Sequence, residues 1–179
     1  TRSERESRDA ALAEIDTWPL YIDDNPNPTL AEMKSAAREI KREHGEIGAW
    51  IFDYLLLWKP SGGTSNRQVE VADCSRNLKI FAKEQDLPVI AGVQLNNLAN
   101  SRGEKRPRMW DIRESSAPYH DSSVVLFLYR EGFYDETPMP MRTELIVEKQ
   151  RNGPRATFLT DWVPKFAAFQ PLPDSQQPA

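Results

Sequence analysis

Two cations stand two residues apart, Lys149 and Arg151, where the apolar run Glu144-Leu-Ile-Val147 gives way to Asn152-Gly153. An Asn-Gly pair after such a run reads as a hairpin turn, and residues two apart on a strand share a face, with Gln150 pointing the other way. Cations paired at a sheet edge suit a phosphate group carried by a neighbouring molecule. Two further polar residues close apolar runs: Asp53 after Ala-Trp-Ile-Phe, and Gln94 after Pro-Val-Ile-Ala-Gly-Val. A carboxylate at the C-terminal end of a buried strand is costly unless it binds something, and one placed there can hold a magnesium ion through water. A neutral amide in the same position can hydrogen-bond a phosphate oxygen or an attacking water. Residues 96–110 lack apolar periodicity and carry Arg102, Lys105, Arg106 and Arg108, the strongest local basic patch. Each feature also has a plain structural reading: a hairpin, a strand end with its polar group satisfied, a solvated loop.

The elements that must hold these residues can be read along the chain. Residues 4–17 set charges around Ala10, Leu12 and Ile15, a short helix that Pro19 ends before a strand at Leu20-Tyr21-Ile22. Thr29 with Glu32 forms a capping box for a helix through Met33, Ala37 and Ile40, stopping at His44-Gly45. His44 reads as a C-terminal capping residue. Ile47 to Trp58 is apolar except for Asp53, the pattern of a parallel strand buried on both faces. After a Pro/Gly/Ser loop at 59–65, Asn66 opens a long helix through Val69, Val71, Cys74, Leu78 and Phe81, followed by a buried strand over 87–93. A short helix is expected at 111–116 and a strand at 124–129. A hairpin joining 143–148 to 156–159 comes last, before a Pro/Ser/Gln-rich tail from 171 expected to be disordered. Strand–helix alternation with a closing hairpin predicts an α/β sandwich with a mostly parallel sheet.

The 179 residues suit one domain with a real core, and 39% hydrophobic with 28% charged residues is a globular composition. A formal charge of −4 excludes binding nucleic acid by bulk electrostatics, so any such contact must be local. The single cysteine, Cys74, has no partner for an internal disulfide and reads as a small core residue. No apolar run approaches the roughly 20 residues of a membrane span, and no signal-peptide pattern is present, which predicts a cytoplasmic protein. Thr1 as the first residue fits removal of an initiator Met or origin in a longer protein.

Taken in order, Pro19-Leu-Tyr-Ile-Asp-Asp24, Lys41-Arg-Glu-His-Gly45, Phe52-Asp-Tyr-Leu55, Asn66-Arg-Gln68, Pro88-Val-Ile-Ala91 and Gln94-Leu95 resemble the RecA-like C-terminal domain of DnaB-type replicative DNA helicases. Asp111-Ile-Arg-Glu-Ser115, Val124-Val125 to Tyr129-Arg130 and Lys149 to Pro154 resemble it too. The similarity covers about residues 19–170, leaving 1–18 as an N-terminal helix or linker and 171–179 as the tail. It implies a RecA-like three-layer sandwich ending in a hairpin. It also implies a hexameric, ATP-driven 5′–3′ helicase that translocates on single-stranded DNA, with helicase loader and primase as further partners. In such a protein Asp53 is the Walker B aspartate that orders Mg²⁺ with ATP, and Gln94 is the switch glutamine. Arg151 is the arginine finger and Lys149 its partner, both completing the neighbour's site. Arg113 and Glu114 belong to the central DNA-binding loop, and the loops near 96–108 and 113–121 face the DNA.

The departures are as informative. Where the family has Gly-Ser-Ile-Glu-Gln-Asp, this chain reads Ser116-Ala-Pro-Tyr-His-Asp121, losing a permissive glycine and gaining the stiffer Pro118. His120 reads as a surface residue, and Val93 stands where the family commonly has Ser. No Gly-x-x-x-x-Gly-Lys-Ser/Thr occurs, so the P-loop strand is absent and the sheet incomplete. Without that loop the isolated chain is expected neither to hold ATP nor to hydrolyse it. Three readings follow: the latter part of a helicase, a degenerate P-loop-less module that binds DNA or a protein without catalysis, and a recombinase-type RecA-like ATPase. The Lys-Gln-Arg-Asn-Gly-Pro run disfavours the third.

Overall fold

The structure, a computed structural model, describes residues 2–25, 28–55, 66–96, 103–113 and 115–177. The described residues hold four α-helices: α1 (Arg2–Ile15), α2 (Leu30–His44), α3 (Arg67–Gln85) and the short α4 (Ala117–Asp121). Strands β1 (Trp50–Phe52) and β2 (Val89–Ala91) form a parallel pair in register Ile51 to Ile90. Strands β3 (Val124–Tyr129), β4 (Arg142–Gln150), β5 (Ala156–Val163) and β6 (Ala168–Pro171) form an antiparallel sheet in chain order. The α/β class expected from sequence is therefore present as an open arrangement of one parallel and one antiparallel sheet.

Local chemistry sets the helix limits. The Thr29 hydroxyl accepts from the Glu32 N–H at 3.2 Å while the Glu32 carboxylate accepts from the Thr29 N–H at 2.7 Å, a complete capping box. Those bonds from Thr29, to the backbone first and then the hydroxyl, hold the Glu32 carboxyl below its ordinary value. Gly45, at φ 92°, ends α2 by donating to the Lys41 carbonyl. Asn66 caps α3 through its side chain, accepting from the Gln68 N–H at 3.0 Å.

The first core lies between α2, α3 and one face of the parallel pair. Met33, Ala37, Leu55, Val71, Cys74, Leu78, Phe81 and Leu87 are buried there, with Trp50, Phe52 and Val89 packed against them. Burial pushes the Cys74 thiol up to about 11, so it serves as an inert core residue. The second core is smaller: Ile112, Phe127 and Ile146 with Val125, Tyr119 and Tyr129 around them.

Four expectations change. Residues 20–22 form no strand, and Ile22 is 84% exposed, because no described strand lies beside them to take their backbone hydrogen bonds. The strand expected over 47–58 is seen only at 50–52, with 56–58 and the loop 59–65 outside the described residues. It is covered on one face only, Ile51 and Ile90 being 69% and 58% exposed. The helix expected at 111–116 is replaced by a 3₁₀ turn at Met109–Asp111 and by α4, whose first turn accommodates Pro118. The tail is longer in structure than in pattern: β6 reaches Pro171, and the Gln177 amide both accepts from the Leu159 N–H and donates to its carbonyl, at 2.7 and 2.9 Å.

Phe81 is fully buried and meets Trp50 edge-on at 5.1 Å. Phe81→Ala should cost about 3–5 kcal/mol, read as a lower urea midpoint at unchanged slope. The capping box makes a pH prediction. With the folded Glu32 carboxyl depressed from its ordinary 4.5, its contribution is full above that value and lost as pH falls through the folded pKa. The stability gap between the wild type and Glu32→Ala should therefore close on acidification below pH 4.5 and stay constant above it.

Candidate functional site

Asp53 and Gln94 follow the C-terminal ends of β1 and β2, which are adjacent and parallel, and both are exposed. Parallel pairing puts the two strand ends on one rim, where ligands of open α/β sheets bind. The Gly92 N–H donates to the Phe52 carbonyl at 3.0 Å, and the Leu55 N–H to the Gly92 carbonyl at 3.0 Å, locking the chain around Asp53. A Cβ at Gly92 would sit 3.5 Å from Asp53 Oδ1, so the glycine leaves that carboxylate uncovered. No group of three or more His, Cys, Asp or Glu able to hold a metal ion occurs among the described residues. A lone open carboxylate fits a magnesium ion whose other ligands are phosphate and water, not a cage made by protein.

From Gln94 the chain crosses directly to the Arg113 loop. The Arg113 N–H donates to the Gln94 carbonyl at 3.0 Å, Leu95 bridges Ile112 antiparallel, and the Asn96 N–H donates to the Asp111 carbonyl at 2.6 Å. Asp111 is 2% exposed, and its carboxylate accepts from the Arg108 N–H at 2.8 Å, closing the preceding turn.

The basic loop is not a free positive surface. Lys105 pairs with Asp135 at 2.6 Å and lies over the Tyr134 ring. Arg106 donates to Glu144 at 2.8 Å and to the Thr157 hydroxyl at 3.0 Å, spanning β4 and β5. Arg108 pairs with Glu104 and lies over Trp110. Side chains this engaged pin the loop to the antiparallel sheet, a role that sequence alone could not separate from nucleic-acid binding. Arg113 is exposed on the rim loop; Arg102 and Glu114 lie outside the described residues.

At the hairpin end the two cations part. Arg151 is exposed, and its N–H donates to the Ser123 carbonyl at 2.9 Å. Lys149 instead turns inward: its ammonium donates to the carbonyls of Tyr119 and His120 at 2.5 and 3.1 Å and lies 5.0 Å from the Tyr119 ring centroid. Burial, then the nearby charges of Arg151 and Lys79, hold that ammonium below the ordinary lysine range, with Asp121 opposing.

A fourth feature was not found from sequence. Past the end of β3, Arg130 lies 5.7 Å from the Phe133 ring and 6.0 Å from the Trp162 ring, and Trp162 leans on Phe169 at 5.0 Å. With Leu128, Tyr134 and Thr143 these side chains line an open cleft of about 280 Å³. Gly132 makes the turn that holds Phe133, since a Cβ there would fall 2.3 Å from the Pro140 Cα. The only sequence signal was a set of aromatics around one arginine, scattered from Phe133 to Phe169 and brought together by strand pairing.

A family model described as the DnaB-like helicase C terminal domain matches residues 1–171. The chain belongs to that family. It is 41% identical over 161 residues to the replicative DNA helicase DnaC of Bacillus subtilis (strain 168), covering 89% of this chain and 35% of that relative. It is 42% identical over 161 residues to the replicative DNA helicase DnaB of Leifsonia xyli subsp. xyli (strain CTCB07), at the same coverages. Among solved structures, that of a DnaB-like replicative helicase with its interactions with primase superposes at TM-score 0.87 and 32% identity, over 92% of this chain and 40% of that one. A second solved structure, of an ATPase domain, gives the same score and identity, over 92% and 59%.

The chain thus spans about a third of the length of these curated relatives. The match begins at residue 1 and so includes α1. The fold is that of DnaB-like ATPase domains, and RecA-like architecture follows. Because Arg106 ties β4 to β5 by its side chain while the exposed Arg151 is held by its backbone N–H to Ser123, their alanine variants should separate. Arg106→Ala should lower stability by about 1 kcal/mol, whereas Arg151→Ala should stay within about 0.5 kcal/mol of wild type, both by urea titration of this chain.

Proposed function

We propose that this chain is the C-terminal part of a hexameric, ATP-driven replicative helicase that moves 5′–3′ along single-stranded DNA. One observation carries the reading: in a member of the DnaB-like family, Asp53 and Gln94 follow neighbouring parallel strands on one rim, while Arg151 is exposed in the turn after β4 of the antiparallel sheet. Residues of a nucleotide site and a cation for someone else's site are thereby separated within one subunit. That is what a ring with nucleotide between subunits requires.

In this reading Asp53, as the Walker B residue, orders the magnesium ion of ATP through water, and Gln94 hydrogen-bonds the terminal phosphate region. Bound ATP with Mg²⁺ supplies the free energy of phosphoryl transfer. The chain's own residues position and neutralise: Arg151, as an arginine finger, presents a fixed fork to the neighbour's phosphate, and Lys149 adds a point charge beside it. The open cleft lined by Arg130, Phe133 and Trp162 has the chemistry to take a planar base, since it offers aromatic faces and a cation. Phosphate cradling must come from a P-loop that this sequence does not contain.

DNA contact in this reading falls to Arg113, Glu114 and Arg102. Lys105, Arg106 and Arg108 act mainly by shaping the loop. The DnaB-like relative solved with primase supports primase as a partner of the intact protein, and a helicase loader is proposed on the family likeness alone. No helix among the described residues is long and apolar enough to cross a membrane, which fits the cytoplasmic setting proposed here. The non-enzymatic alternative, suggested by the missing P-loop, is not favoured, because the relatives are replicative DNA helicases.

In the intact protein, Arg151→Ala should lower kcat by about a thousandfold. Mixing it with a P-loop-defective subunit should restore part of the ATPase, because each mixed interface can combine one intact loop with one intact finger. No recovery at any ratio, with rings shown to form, counts against a role in trans. Trp162→Ala should raise KM for ATP about tenfold with little change in kcat, the size of one lost base stack.

A further inference from the structure

The course of β4 contains an irregularity that bears on Lys149. Lys149 pairs with Val125 but Val147 pairs with Leu126, so β4 carries one extra residue, Glu148, between them. In an unbroken strand Lys149 would share a face with Leu145 and Val147, opposite the exposed Leu126 and Leu128. The bulge shifts the alternation by one and puts Lys149 on the face of Val125, which packs with Phe127, Ile146 and Tyr119. That is the face α4 covers. Glu148, displaced by the bulge, is 3.7 Å from Arg155 across the turn.

The place to which Lys149 is turned is built from α4. Its last turn offers two carbonyls, of Tyr119 and His120, at the helix end where carbonyls carry partial negative charge, the Tyr119 carbonyl also accepting from the Ser122 hydroxyl at 3.1 Å. The Tyr119 ring adds its negative face. α4 is itself held: the Ser75 hydroxyl on α3 donates to Asp121 at 2.7 Å, and Lys79 on α3 donates to the Ser123 hydroxyl at 2.9 Å. The segment before α4 is fixed by the Ser115 hydroxyl, which accepts from the Ala117 N–H at 3.1 Å.

We propose that Tyr119 and the last-turn carbonyls of α4 form a seat for the Lys149 ammonium, into which the β4 bulge aims it, and that Tyr119 is a positioning residue for this lysine. The seat uses two of the three ammonium donors and leaves one N–H for an outside acceptor. A long side chain with several rotatable bonds is thereby delivered to one place by carbonyls and a ring, with the Asp121 carboxylate nearby offsetting only part of its charge. The partial burial that lowers its pKa accords with such a seat. The acceptor, on the function proposed above, is a phosphate oxygen of the neighbouring subunit's nucleotide, and this last step rests on that reading. Tyr119 occupies one of the positions where this sequence departs from the helicase pattern.

Two measurements test it. In this chain, NMR of the Lys149 ε-methylene, assigned with Lys149→Arg, should show an upfield ring-current displacement and cross-relaxation with the Tyr119 ring. Both should persist in Tyr119→Phe and vanish in Tyr119→Leu, whose Ile146 methyl signals report that the second core is intact. Should Tyr119→Leu fail to fold, the wild-type spectrum decides alone: a Lys149 signal at the position of the exposed Lys83, without cross-relaxation, overturns the seat. In the intact protein, Tyr119→Leu should lower kcat for ATP about two- to fivefold at unchanged KM, the size a half-exposed cation–π contact supports. Tyr119→Phe should match wild type, and Tyr119→Leu should add nothing to Lys149→Ala. A full loss from Tyr119→Leu on top of Lys149→Ala overturns the positioning role. Wild-type turnover in Lys149→Ala, together with the ring-current displacement of Lys149 in the unsubstituted chain, would leave the seat standing and refute instead the phosphate role of Lys149.

Discussion

The seam between residues 94–96 and 111–113 holds the two halves of this molecule in relation to each other. Among the described residues the parallel pair and the antiparallel sheet share no strand, and each has its own packed cluster. Three backbone contacts join them along the seam, Gln94 to Arg113, Leu95 to Ile112 and Asn96 to Asp111, with Val93 packed against both clusters, and α4 docks on α3 through Ser75 and Asp121 as a second tie. Backbone groups paired in this way leave little freedom for either segment to slide. The buried Asp111 then closes the turn behind the seam by accepting from the Arg108 N–H. Loosening this seam would free the rim carrying Asp53 and Gln94 from the Arg113 loop, leaving the α3–α4 contacts to hold the rest.

The same seam decides what can be coupled. Gln94 reaches the rim loop through its own carbonyl, so a shift at one end of β2 must move the Arg113 backbone or break a hydrogen bond. Arg113 continues through Ser115, whose N–H donates to the Arg113 carbonyl, into α4 and so to Lys149. The candidate phosphate-facing groups of two different interfaces therefore lie along one connected run of hydrogen bonds. Connection alone is not coupling, which requires an element with two arrangements that both ends bias. α4 is the only helix on this run, and its five residues make it the part with least helical support of its own.

Much of this was legible because local chemistry wrote it. The capping box at Thr29, the Asn66 cap, the Gly45 stop and the Asn152-Gly153 turn were readable, and each recurs in the structure, because caps and turns depend on a few neighbouring residues. The edges of the candidate site were legible for a similar reason, since a polar residue closing an apolar run marks a strand end. What failed needed partners distant in sequence. Leu20 to Ile22 has strand composition but no described strand beside it. The role of Arg106 depends on Glu144 and Thr157, nearly 40 residues and more away, and charge alone cannot distinguish a pinned arginine from a free one. The Arg130–Trp162 cleft exists only once β3, β4 and β5 are in register. The bulge at Glu148 leaves no mark in composition, yet it turns Lys149 from one face of the sheet to the other.

The bare faces follow from the same division between local and distant information. Runs such as Trp50-Ile-Phe52 and Val89-Ile-Ala91 lack polar alternation, which specifies burial on both sides of a sheet. Here the helices α2 and α3 cover the side of Trp50, Phe52 and Val89, and the opposite side exposes Ile51 and Ile90 in register. On the antiparallel sheet Leu126, Leu128 and Phe158 are exposed while Val125 and Phe127 pack inward, and Leu128, Leu145 and Phe158 line up across three strands. Several large apolar side chains aligned in this way exceed the scattered exposure of an ordinary surface. The sequence thus encodes a cover that the described residues do not supply. A substitution at Ile51 or Leu128 therefore reads differently in this chain than in a context where those faces are covered: near neutral here, and a core substitution there.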